Sequence, residues 1–119
     1  MARILLADDD AATRELVKRA LETEGHKVEV TQDGAEALDK LKADAGAIDV
    51  LVSDVNMPGI DGISLATQAV GLGHVRVLLM SGFPEELERA KKIKAPRLDV
   101  LSKPFTLEQV RAAVRAILA

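Results

Sequence analysis

The sequence predicts an α/β fold: a three-layer sandwich of five parallel strands alternating with five helices. Five short runs rich in Val, Ile and Leu alternate with five segments whose apolar residues recur at helical spacing. Two runs, ILLA and DVLVS, are almost continuously apolar, the pattern of strands buried on both faces of a parallel sheet. Such regular alternation implies right-handed βαβ crossovers. At 119 residues and 48% apolar composition the chain can bury one core of ordinary size, so residues 1–119 read as one domain.

Taken in order, Arg3 to Ala7 is the first strand. Acids follow that can cap a helix carrying Leu16, Val17, Ala20 and Leu21, which Gly25 stops. Lys27 to Thr31 alternates Val28 and Val30 with charged neighbours, as a half-exposed edge strand does. Asp33 and Glu36 resemble a capping pair, and Ala37, Leu38 and Leu41 mark a second helix to about Ala43. Asp49 to Ser53 is the third strand. The loop MPGIDG follows it, with Pro58, Gly59 and Gly62 as turn formers.

A third helix spans Ile63 to Val70, ended by Gly71 and Gly73, and Val75 to Met80 is the fourth strand. Pro84 suits the first turn of a helix reaching Ile93, which Pro96 stops. Leu98 to Ser102 is the fifth strand. Thr106 and Gln109 have the form of a capping box, and Val110, Ala113, Val114, Ile117 and Leu118 give the last helix its apolar stripe.

Composition excludes several functions. A net charge of −3 with mixed signs offers no basic stripe for nucleic acid, and the lack of Trp and Tyr removes the usual base-stacking platforms. Without cysteine there is no disulfide framework and no thiolate site or thiol nucleophile. No signal-peptide core and no bilayer-length apolar run is present, so a cytoplasmic location without membrane contact is expected. No Gly-rich loop follows a strand, which argues against nucleotide binding.

If the ILLA and DVLVS runs are neighbouring parallel strands, their C-terminal ends bring Asp8, Asp9 and Asp54 into one anionic pocket. Two like charges about 4 Å apart repel by roughly 4 kcal/mol at an effective dielectric near 20, so the cluster needs a cation or raised pKa values. Mg²⁺ answers that need, with carboxylates and the Asn56 main-chain carbonyl as oxygen ligands. Each residue also has a plainer reading. Asp8, Asp9 and Asp10 can cap a helix, Asn56 can be a turn residue, Ser81 part of a Ser-Gly turn and Lys103 a solvated strand end. Asp54 is harder to explain structurally, because a carboxylate closing an apolar strand is costly unless its charge is used. Together, a carboxylate, a metal, the Lys103 ammonium and the Ser81 hydroxyl are what forming an aspartyl phosphate requires.

The pattern Asp8, Asp9, then Asp54 in DVNMPGIDG, then Ser81, Gly82, then Lys103, Pro104, Phe105 resembles the receiver domain of two-component response regulators, of the stand-alone CheY-like type. The resemblance covers essentially the whole chain. It implies a flavodoxin-like sheet of order 2-1-3-4-5, with Asp54 as phosphoacceptor. It further implies Mg²⁺ held by Asp9, Asp54 and the Asn56 carbonyl, with Asp8 acting through water, and Lys103 contacting the phosphoryl group. Ser81 would swing toward that group after transfer and draw the Gly82–Pro84 loop with it. The lysine–proline peptide bond is often cis in the family. The implied phosphodonor is a sensor histidine kinase or histidine phosphotransfer protein. A downstream protein would read the face made by the fourth helix, fifth strand and fifth helix.

Most receivers carry Tyr or Phe three positions before the lysine; here that position is Val100. Phe83 is the candidate substitute in the switch and could shield the phosphoryl group from water, or it could simply plug the loop against the last two helices. Because the chain ends straight after the last helix, we expect output by protein contact, unless this is a receiver fragment of a larger regulator. A phosphorylation-independent interaction module is the other alternative. A phosphatase with an aspartate nucleophile would want a second carboxylate where Asn56 stands, so no separate substrate turnover is expected. Lys91, Lys92, Lys94 and Arg97 form a small basic run that suits either a solvated face or an acidic partner.

Overall fold

A computed structural model describes residues 1–44 and 46–119. The strands are β1 (Arg3–Ala7), β2 (Lys27–Thr31), β3 (Val50–Asp54), β4 (Arg76–Ser81) and β5 (Leu98–Ser102). The helices are α1 (Ala11–Glu22), α2 (Gly34–Ala43), α3 (Gly62–Val70), α4 (Pro84–Lys91) and α5 (Leu107–Leu118). All strand pairings are parallel and the order is β2-β1-β3-β4-β5, as expected.

Alternating side chains of the central strands feed two cores. Leu5, Leu51, Val77 and Leu79 pack with Ala37 and Leu41 of α2, Leu65, Ala66 and Ala69 of α3, and Ala90 of α4. On the other face Leu6, Val50, Val52, Leu78 and Met80 pack with Val17, Ala20 and Leu21 of α1 and Val110, Val114 and Ile117 of α5. The sheet is thus the middle of three layers, which is why β1 and β3 read as continuous apolar runs.

Two strand boundaries differ from expectation in a way that matters for the site. β3 and β4 each begin and end one residue later than the apolar run suggests, because the ladder pairs Val50 with Arg76 and continues to Asp54 opposite Met80. Asp54 and Ser81 therefore close their strands as members of the sheet. α4 stops at Lys91 and does not reach Ile93: the amides of Lys92 and Ile93 bond three residues back, to Arg89 and Ala90. That tightening ends the α-helical ladder. β5 proves to be the second sheet edge, half-exposed like β2.

The helix starts follow local chemistry. Asp10 accepts the Thr13 amide at 3.1 Å to cap α1, and Asp61 accepts the Ser64 amide at 2.9 Å to cap α3. Asp33 accepts the Glu36 amide at 2.8 Å, and Glu36 reaches back to the Gln32 amide at 2.9 Å, one residue before the cap. Thr106 and Gln109 form both bonds of a capping box. Among the described residues, no helix is long and apolar enough to cross a membrane.

Candidate functional site

The C-terminal ends of β1, β3, β4 and β5 converge at one rim of the sheet, the place where open α/β sheets bind ligands. Asp8 leaves β1 fully buried, with Oδ1 accepting the Asp10 amide at 2.9 Å and its carbonyl accepting Arg14 Nη1 at 2.7 Å. Asp8 Oδ2 is buried without a hydrogen-bond donor. Asp54, 8% exposed, ends β3, and Asp9 lies at the surface. Carboxylate oxygens of the three lie within 4.8 Å of one another. Lys103 Nζ stands 3.2 Å from Asp54 Oδ2 and 3.7 Å from Asp8 Oδ2.

Three carboxylates around one ammonium leave the rim negative. Burial pushes the Asp54 carboxyl above its ordinary value; the nearby Lys103 charge and hydrogen bond, with the Asn56 backbone, pull it partly back, and Asp9 pushes it up. Burial raises Asp8 as well, opposed by the Asp10 amide and Lys103 and reinforced by Asp54 and Asp9. An orphaned buried carboxylate oxygen, beside two more carboxylates, fits a hard divalent cation that takes oxygen ligands. The peptide bond between Lys103 and Pro104 is cis.

The loop from Val55 to Asp61 is held by close backbone contact. A Cβ on Gly62 would sit 2.2 Å from the Asp54 carbonyl oxygen, and the Gly62 amide bonds Val55 O at 2.8 Å. Gly59, with φ +75°, makes the turn between them. Reading Gly62 as a turn former therefore gets its role wrong: it is needed because the start of α3 presses on the end of β3.

Ser81 is buried, yet its hydroxyl faces α4. Oγ donates to Glu86 Oε1 at 2.5 Å and accepts the Phe83 amide at 3.0 Å. Phe83 is 50% exposed and belongs to neither core, so it does not plug the loop. Val100 packs at the margin of the α2–α3–α4 core. The sequence reading missed Glu86 and Arg14. Both have a signal in hindsight: Glu86 lies in the first helical turn after the Ser-Gly-Phe-Pro loop, and Arg14 one turn after the acids.

Comparison with known proteins agrees with this geometry. The response regulator receiver domain family matches residues 4–115. The response regulator MprA of Mycobacterium tuberculosis (strain H37Rv) is 41% identical over 117 residues, covering 98% of this chain and 50% of the relative. MprA of Mycobacterium avium (strain 104) is 40% identical with the same coverage of 98% and 50%. The chain thus spans about half the length of these curated relatives. Among solved structures, the receiver domain of the hybrid histidine kinase CckA superposes with a TM-score of 0.83 at 35% identity, covering 98% of this chain and 99% of that one. Chemotaxis protein CheY4 of Vibrio cholerae gives a TM-score of 0.84 at 30% identity, covering 98% of each chain. With the family match spanning nearly its whole length and the acidic rim in place, this chain belongs to the receiver domains of two-component response regulators.

Proposed function

We propose that Asp54 is the phosphoacceptor, taking a phosphoryl group from a phosphohistidine on a sensor histidine kinase or histidine phosphotransfer protein. A carboxylate oxygen of Asp54 bonds to phosphorus as the phosphorus–nitrogen bond of the donor breaks, its electron pair returning to the imidazole. Asp9, Asp54 and the Asn56 carbonyl, with Asp8 through water, would hold Mg²⁺, which supplies charge neutralisation at the phosphoryl oxygens. Lys103 contacts one of those oxygens as a point charge. Ser81 contacts another once it turns from α4. The observation that carries this reading is the Asp54 carboxylate closing a fully buried strand, 3.2 Å from Lys103 Nζ.

Output runs through a protein partner at the face of α4, β5 and α5, where phosphorylation shifts an existing equilibrium of conformations. The light packing of α4 and β5 supports that choice. The domain works in the cytoplasm, without nucleic acid or membrane as its own ligand. It turns over no separate substrate, since Asn56 stands where an aspartate phosphatase would need a second acid.

Incubation with acetyl phosphate, with and without Mg²⁺, followed by intact-mass measurement, tests the reading. The wild type should gain one phosphoryl group only with Mg²⁺, and Asp54→Ala none. Absence of the gain, or its survival in Asp54→Ala, overturns it.

A further inference from the structure

The Ser81–Glu86 contact has no part in phosphoryl transfer as described, yet it is built with care. Ser81 is 1% exposed and ends a buried strand, and its hydroxyl has the half-buried Glu86 carboxylate as its near acceptor, 2.5 Å away, with the Phe83 carbonyl at a longer 3.4 Å. A hydroxyl–carboxylate bond of that length belongs to the strong, charge-assisted class. The same oxygen receives the Phe83 amide, the first backbone group of the α4 entrance. Phe83 occupies the N-cap position and offers α4 no side-chain cap. Ser81 therefore supplies, from the end of β4, the tether that a capping side chain would otherwise provide.

What the tether holds is weakly held otherwise. α4 has one fully buried residue, Ala90, whereas α3, one residue longer, has four. Its partner strand β5 has no fully buried residue. Among the described residues no hydrogen bond joins Ser81 Oγ to Asp54 or Lys103. One hydroxyl proton cannot serve both Glu86 and an oxygen at Asp54, so the two arrangements exclude each other.

We propose that Glu86 is a positioning residue that latches the domain in its resting state: it competes with the phosphoryl group for the Ser81 hydroxyl, and its release frees the N-terminus of α4. This rests on the phosphoacceptor reading and adds the element that sets the resting equilibrium. Phosphorylation supplies a dianionic acceptor at Asp54. Ser81 then leaves Glu86 and Phe83 together, so α4 loses its tether in the same event that completes the pocket. In this chain, where Val100 removes the aromatic at β5, the signal reaches the output face through an acid on the moving helix.

The test is a double-mutant cycle read by affinity for beryllofluoride with Mg²⁺, a phosphoryl mimic that needs no donor protein. Glu86→Ala should bind it about tenfold more tightly than wild type, the size of a lost competing bond to a charged acceptor. Glu86→Gln, which keeps an acceptor but not the charge, should fall between. In a Ser81→Ala background Glu86→Ala should change nothing, an outcome that a merely structural role for Glu86 would not produce. Unchanged affinity in Glu86→Ala, or an equal gain in the Ser81→Ala background, overturns the latch while Asp54 still labels in wild type. A wild type that neither labels at Asp54 nor binds beryllofluoride overturns the phosphoacceptor reading and the latch with it.

Discussion

Every residue of β3 is buried, whereas β5, a strand of the same length in the same sheet, has none that is. The helices repeat the contrast: α3 lays four buried residues on the sheet and α4 only one. Asp54 stands on the heavily packed side and Ser81 between the two. The role proposed for Asp54, holding a metal and meeting a phosphoryl donor, needs positions fixed to fractions of an ångström, and tight packing on both faces provides that. The output face proposed at α4 and β5, to be read in two states, needs a small free-energy gap between them, and sparse burial favours that.

Matched truncations on the two sides should break the contrast if it is false. Leu51→Ala removes a side chain with no exposed surface and should cost about 3–4 kcal/mol in urea unfolding, while Leu98→Ala on β5 should cost roughly 1–2 kcal/mol. Equal losses would show that the edge is as firmly packed as the centre.

Gly62→Ala should come next, at about 2–3 kcal/mol, because the added carbon meets the backbone of Asp54, which has no flexible end to move aside. The same variant should slow acetyl-phosphate labelling of Asp54 while leaving a folded circular dichroism spectrum. Labelling at the wild-type rate would mean that the end of β3 tolerates displacement.

The smallest effect concerns charge. A carboxyl whose folded-state pKa is raised binds its proton more tightly in the folded chain, so it adds stability below its unfolded value and loses that contribution as pH rises through the folded one. Asp54 is such a group. In magnesium-free buffer at neutral pH, Asp54→Asn should therefore be more stable than wild type, with Asp8 still 3.7 Å from the Lys103 ammonium. The gap should shrink as pH falls through the raised folded-state value and be gone below the ordinary carboxylate value of 3.8. A stability curve parallel to wild type across that range would mean that Lys103 fully offsets the burial of Asp54.

Fold class, strand number and helix starts were readable because they depend on short-range rules. Asp10, Asp33 and Thr106 cap the helices that follow them, and near-continuous Val and Leu marks strands covered on both sides. The residues of the acidic rim were readable too, since each closes an apolar run. Strand ends were less so: local hydrophobicity put Asp54 and Ser81 just outside their strands, and the parallel ladder draws them in. Phe83 was expected either to act in the switch or to pack, and its half-exposed ring does not pack.

Local sequence thus settled which residues could form strands and helices and which acids could meet, because caps, turns and hydrophobic period act over a few neighbouring residues. Folding alone settled that Asp8 keeps one carboxylate oxygen buried and unbonded, that Gly62 touches the Asp54 backbone, and that Ser81 turns to Glu86. Those facts depend on how separate elements press together, and burial, close approach and competition for a single proton exist only once the layers are packed.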